Sequence, residues 1–320
     1  MGSRRYTLGI DLGGTKIKIA LVDDLGQIAD MKQIPTQPAD GPDIIEGRVI
    51  DVIQSLCTHI TPLAIGIGVP GQIDPKTGTI LFAPNLQWHN VPFQSNLSQK
   101  LNLPAISTDD VRAAAIGEWY FGAGKGCEDF FCLFIGTGIG GGIVAGGRLL
   151  DGASHTAGEI GHMIIDINGP QCTCGNFGCL EAIGGGWAIA KQAQEAVSAQ
   201  HSQSAHLQKK CQGNIEAIDA KMVIEAWREG DILSQKIISK AIAAIVAGSI
   251  NIINVLNPAR LILGGGVFEG IPELLAHIKQ GIEQRALAAA RSNLQVLPAH
   301  LLKDAGVIGA SCLAFKQFGK

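Results

Sequence analysis

No run of lysines or arginines stands out in this 320-residue chain, whose formal net charge is −3. Nucleic-acid binding shows itself as an excess of positive charge, so no nucleic-acid partner is expected. A long uninterrupted apolar stretch is also missing. The most hydrophobic segment, AIAAIVAGSINIINVL, falls short of the roughly 18 residues of a membrane span, and Ser249, Asn251 and Asn254 interrupt it, so it reads as a buried helix. The opening MGSRRYTLGI reaches Asp11 before the apolar core of a signal peptide can form, and Tyr6 breaks the myristoylation pattern. The expectation is a cytoplasmic protein with no membrane partner. Eight cysteines are too few for a dense disulfide scaffold. Tandem repeats, low-complexity segments and the Gly-Lys-Ser/Thr of a P-loop are absent, as is a dinucleotide fingerprint opening a helix.

What the chain does have is hydrophobic residue, 46% of it, and 42 glycines. Its length suits about two compact domains. Residues 6–22 read as two apolar strands around a glycine-rich turn, with Ile17, Ile19 and Leu21 alternating against Lys16, Lys18 and Ala20, a hairpin carrying a polar tip. A helix around residues 42–59 precedes the strand LAIGIGVPG, and LPAISTDD is a short strand running into the Ala-rich helix VRAAAIGEWYFG. FFCLFIGTGIGGGIVAGGRLL then repeats the strand, glycine turn and strand of the N-terminus, which suggests a duplicated architecture. Residues 186–256 are mostly helical by periodicity, and ARLILGGGV is a further buried strand closed by glycines.

Three glycine-rich strand ends carry the first chemical signal. In DLGGTK, glycines allow backbone N–H groups to approach an anion, while Thr15 and Lys16 add a hydroxyl and a charge, and Asp11 can hold a metal ion or its water shell near phosphate. Alone, this is equally an ordinary hairpin turn. With GTGIGGG at 136–142 and GGG at 264–266 it favours a nucleotide. In STDDVRAAAIGE, Asp109 and Asp110 open a helix, either as caps or with one of them as the base that takes a proton from a hydroxyl attacking a phosphoryl group.

The segment CTCGNFGCLEA gathers three cysteines, with His162 ten positions upstream. One imidazole and the thiolates of Cys172, Cys174 and Cys179 suit tetrahedral zinc with no open position, hence a structural site, and buried free thiols are the alternative. Gly175 and Gly178 let the loop fold around an ion. Glu159 and Glu181 flank these ligands, so metal ligation would pin both carboxylates where they can accept hydrogen bonds from a polyol.

These residues resemble the ROK family of bacterial sugar kinases and related repressors. GIDLGGTKIKIALVD, GIGVPGQID, APNLQW, DDVRAAAIGE, IGTGIGGGIV, AGEIGHM, CTCGNFGCLEA and NPARLILGGGVF occur in the family's order. The resemblance implies an α/β, actin-like ATPase (ribonuclease H-like) two-domain fold with an interdomain cleft for sugar and ATP. It implies a smaller N-terminal domain, residues 1–118 with the C-terminal helix 304–320, and a larger domain, residues 119–303, bearing the zinc loop. By the same likeness Asp110 is the catalytic base. Gly71, Asn85, Asp109, Asp110, Glu159, His162 and Glu181 are sugar positions, with His162 also a zinc ligand beside Cys172, Cys174 and Cys179. Asp11, Gly13, Gly14, Thr15 and Lys16, then Gly136, Thr137, Gly138 and Gly140, match ATP-phosphate segments, and Gly265 and Gly266 lie near the adenosine. The implied cofactors are ATP, Mg²⁺ and structural Zn²⁺, and the implied assembly is a homodimer.

Two residues depart from the family pattern, which has Asn immediately before the catalytic Asp and often another two positions after it. Here they are Asp109 and Arg112. The expected activity is transfer of phosphate from ATP to the 6-hydroxyl of a hexose, with glucose first and N-acetylmannosamine next among acceptors. A sugar sensor without catalysis is the alternative from another class, to which the two departures lend weight. The family's repressors carry a helix-turn-helix ahead of the phosphate hairpin, for which the first strand at Tyr6 leaves no room.

Overall fold

The structure is a computed structural model describing residues 4–319. Packing divides the chain into two units. One holds residues 1–128, 142–157 and 299–320, and the other holds 129–141 and 158–298. The family likeness instead implies boundaries at 118/119 and 303/304, with residues 142–157 inside the larger domain.

The first unit is built on a five-stranded mixed sheet. Its strands are β1 (Tyr6–Leu12), β2 (Lys16–Asp23), β3 (Ile28–Pro35), β4 (Ile65–Val69) and β8 (Ala105–Asp109), in the order β3-β2-β1-β4-β8. β1, β2 and β3 pair antiparallel, whereas β4 lies parallel to both β1 and β8. Between β4 and β8 the chain forms a small antiparallel sheet from β5 (Gln72–Ile73), β6 (Ile80–Ala83) and β7 (Trp88–Val91). Leu8, Ile10, Leu12, Ile17 and Ile19 are fully buried with Ile45 and Val49 of helix α1 (Pro42–Leu56). Helix α2 (Phe93–Leu101) adds Phe93 and Leu97 to the same core. α1 starts with Pro42, whose missing N–H costs nothing in a first turn.

The hairpin forms as the apolar pattern predicts, but its polar side does not. Every residue of β2 after Lys16 is buried, Lys18 and Ala20 included. The reason lies some 285 residues away, where Lys18 Nζ donates to the Asp304 carboxylate at 3.0 Å and to the Lys303 carbonyl. The C-terminal helix Ala305–Phe318 covers that face, Val307 and Ile308 packing with Ala20 and Val22. Its approach is close: a Cβ on Gly66 of β4 would stand 1.7 Å from the Ala310 carbonyl oxygen. Thr7 Oγ1 donates to the Ser311 carbonyl at 3.0 Å, and buried Glu118 accepts the N–H groups of His300 and Leu301. An unpaired Lys18 or Glu118 would be too costly to bury, so these contacts fix the position of the helix.

In the second unit β10 (Ile139–Ala145), β9 (Phe130–Ile135), β12 (Arg260–Gly264) and β13 (Gln295–Pro298) follow in that order across a sheet. β12 lies parallel to β9 and to β13. The end of β10 belongs to the first unit, where Val144 and Ala145 pair with β11 (Arg148–Leu149). Helices over 186–198, 220–228 and 232–256, as the periodicity predicts, and a further one over 274–285 supply the rest of the core. The helix Ile232–Leu256 has the length and apolarity to cross a membrane, but most of its most apolar window is buried inside the protein. Asp231 caps it by accepting from the Ser234 N–H at 2.8 Å. GGGVF, expected as a turn, continues into a one-turn helix over Gly266–Gly270, with Gly265 at φ 95° as the corner.

Candidate active site and metal centre

The first glycine turn joins β1 to β2. Gly13 N–H donates to the Lys16 carbonyl at 3.1 Å, Thr36 N–H donates to the Thr15 carbonyl at 2.9 Å, and Thr36 Oγ1 donates to the Gly13 carbonyl at 2.6 Å. Thr15 and Lys16 are exposed at the tip. Asp11 sits opposite Lys18 in the ladder. Burial pushes its carboxyl above the ordinary carboxylate range, and the charges of Lys18 and Lys16 offset part of that. Gly14 lies against Asn85, since a Cβ there would stand 2.9 Å from the Asn85 Cβ. The turn and the APNLQW segment are therefore packed together. Gly71 has φ 148° and backs onto the Phe82 carbonyl of β6.

Helix α3 (Asp110–Phe121) begins where β8 ends. Asp109 is its cap, one carboxylate oxygen accepting the N–H groups of Val111 at 3.0 Å and Arg112 at 3.1 Å. The capping reading therefore holds for Asp109, and Asp110 is left in the first helical turn, its Oδ1 2.8 Å from the Val111 N–H. Arg112 is buried, and its guanidinium pairs with the Asp151 carboxylate and donates to the His155 carbonyl at 2.9 Å. This clamp on residues 151–155 has no signal in the local sequence, because its partners lie about 40 residues downstream.

In the second unit the turn after β9 is closed by Gly136 N–H donating to the Gly138 carbonyl at 2.9 Å. Thr137 is exposed, and Gly138 and Gly140 are half-buried. Glu181 meets this turn: its Oε2 accepts the Ile139 N–H at 2.7 Å and its Oε1 accepts Trp187 Nε1–H at 3.0 Å. Each oxygen retains acceptor capacity for a hydroxyl. Nothing in the local sequence points to this contact of Trp187, since a lone Trp opening a helix looks like packing.

His162, Cys172, Cys174 and Cys179 come together, their ligand atoms all within 4.8 Å of one another. Cys172 Sγ is 3.7 Å from His162 Nδ1, and Cys174 Sγ is 3.8 Å from Cys179 Sγ. A tetrahedron with Zn–S near 2.3 Å has edges of about 3.8 Å, so the four donors fit zinc in number, type and spacing. Burial pushes the Cys179 thiol up to about 12, and the backbone N–H of Asn176 draws Cys174 down. The four donors could together hold one metal ion. The loop closes through Gly178, whose φ of 71° and close approach to the Asp166 carbonyl leave no room for a side chain. Glu159 is exposed, its Oε2 3.8 Å from His162 Nε2. The structure thus brings Glu159, His162 and the three cysteines into one constellation, with Glu181 following the last of them by two residues.

Residues 7–317 match the ROK family. The chain belongs to that family. It is 36% identical to a glucokinase of Halalkalibacterium halodurans over 98% of this chain and 96% of that protein. A glucokinase of Thermotoga maritima is 32% identical over 98% of each chain. Among solved structures, a ROK family glucokinase from Streptomyces griseus in complex with glucose and AMPPNP is 33% identical, with a TM-score of 0.82 over 97% of this chain and 99% of that one. Proteins named xylose repressor and N-acetylmannosamine kinase match as well. The ROK membership and the expected actin-like ATPase fold are thereby established.

Proposed function

We propose that this ROK protein is an ATP-dependent glucokinase that phosphorylates the 6-hydroxyl of glucose. The observation that carries the proposal is Asp110, a carboxylate at a strand-to-helix junction, in a chain that follows two glucokinases along nearly its whole length. Asp110 takes the proton of the attacking hydroxyl as general base, a role worth about 10²–10⁴ in rate. Asp109 fixes the helix start beneath it. Glu159, His162 and the remaining acceptor capacity of Glu181 bind sugar hydroxyls, and Asn85 and Gly71 are further sugar contacts by the family likeness. The two glycine turns, Asp11–Lys16 and Gly136–Gly140, bind the ATP phosphates, and Gly265 and Gly266 lie beside the adenosine. Mg²⁺ arriving with ATP supplies charge neutralisation on the phosphates, and Asp11 is placed to hold its water shell. His162, Cys172, Cys174 and Cys179 hold a structural Zn²⁺ that stiffens the sugar-binding loop. We further propose a cytoplasmic homodimer.

A sugar sensor without catalysis is the second reading. It is favoured by the engagement of Asp109 as a cap and Arg112 as a clamp, where the family pattern has amides. ADP release with Mg²⁺ and ATP, measured across glucose, N-acetylmannosamine, N-acetylglucosamine, fructose and allose, separates the two. Turnover on glucose above the others is the expected result. Silence on all five while a sugar still binds would replace the kinase with the sensor.

A further inference from the structure

The carboxylate of Glu181 has both oxygens engaged from within the second unit, and both donors belong to the neighbourhood of the glycine turn after β9. Ile139 N–H points to Oε2, and Trp187 Nε1–H points to Oε1. Trp187 also closes on the turn through its backbone, donating its N–H to the Thr137 carbonyl at 2.9 Å, while Gly186 N–H donates to the Gly136 carbonyl at 2.9 Å. The fit depends on Gly138, where a Cβ would stand 2.5 Å from Glu181 Oε2. From the other side, a Cβ on Gly161 would lie 2.0 Å from the Ile139 carbonyl oxygen, so the segment carrying Glu159 and His162 presses on the same residue. The indole of Trp187 meanwhile packs against Cys172, Cys179 and Ala182.

Carboxylate and phosphate repel, so Glu181 is poorly suited to touch a nucleotide's phosphates directly. Its charge is instead taken up by an N–H of the turn and by an indole that rests on the cysteine loop. A backbone turn held in its binding geometry beforehand loses less freedom when an anion docks.

We propose that Glu181, with Trp187, is a positioning residue for the nucleotide: it fixes the Gly136–Ile139 backbone against the cysteine loop, so that this loop supports the phosphate turn as well as the sugar segment. The inference rests on the reading of Gly136–Gly140 as an ATP-phosphate segment. It differs from a purely sugar-binding role for Glu181 in one readout, nucleotide affinity in the absence of any sugar.

The test is titration of a fluorescent ATP analogue with Mg²⁺ into zinc-replete wild-type protein and into Glu181→Gln and Trp187→Phe, without sugar. Thermal melting confirms that each variant is folded. Trp187→Phe keeps the ring on the cysteines and removes only the donor, so it serves where Glu181→Gln unfolds. The expected result is an increase in nucleotide Kd of about tenfold for Glu181→Gln, the weight of one charge-assisted hydrogen bond, and a smaller increase for Trp187→Phe. Wild-type nucleotide affinity in both variants would overturn the inference and leave Glu181 as a sugar ligand only. Failure of the wild-type protein itself to bind nucleotide would instead overturn the kinase reading, and this inference with it.

Discussion

The two glycine turns look alike in sequence and are held in different ways. The Asp11–Lys16 turn is closed by its own backbone and by Thr36 of the connection after β3, the next strand of the same sheet. The Gly136–Ile139 turn also has a backbone bond of its own, Gly136 to Gly138, but is held in addition by Glu181, Gly186 and Trp187, which follow the last cysteine. A strand, glycine turn and strand pattern thus announces where a turn falls but not what makes it rigid. The hydrogen bonds of the first turn come from within 23 residues, with Asn85 packed against it from farther along, whereas those of the second reach some 40 to 50 residues on, to the segment that follows the cysteines.

Four experiments would break or sharpen that contrast. The largest effect is expected from Cys174→Ala. Loss of one thiolate should abolish stoichiometric zinc by metal analysis and weaken glucose binding by calorimetry by at least about tenfold, because Glu159 and His162 lose their support. A zinc-free protein with normal sugar affinity would separate the loop from the site. Glu181→Gln comes next, with its tenfold loss of nucleotide affinity. Thr36→Val, the matched change at the first turn, should cost less, about two- to fivefold in the same titration, since Thr36 N–H still holds Thr15 when the hydroxyl is gone. Equal losses at the two turns would erase the distinction. The smallest effect should follow Asp151→Asn, which removes the charged partner of Arg112 but leaves the His155 carbonyl in place. Asp151 is about half exposed, so the expected loss is about 1 kcal/mol by denaturant unfolding. A loss several times larger would mean that the clamp on residues 151–155 is a main support of the first unit.

How much was legible follows the same division. The hairpin, the β8 to α3 junction and the cysteine constellation show in the sequence because each is set by local pattern or ligand spacing. Lys18 misleads, since alternation places it on a polar face that the C-terminal helix then covers and Asp304 neutralises. β3 gives no strand signal, because IADMKQIP is mostly exposed and its pairing with β2 is what makes it a strand. Trp187 and the Arg112 clamp are invisible for one reason: each acts on partners that only the fold brings near. Asp109 was legible in both of its readings, and the structure shows the capping one.

The most direct test of the account is Asp110→Asn beside wild type, with glucose binding followed by calorimetry and phosphoryl transfer followed by phosphorus NMR in the same preparations. The account predicts glucose 6-phosphate from the wild type, near-normal glucose affinity in the variant, and turnover lowered by at least about 10²-fold. Near wild-type turnover in Asp110→Asn would contradict it.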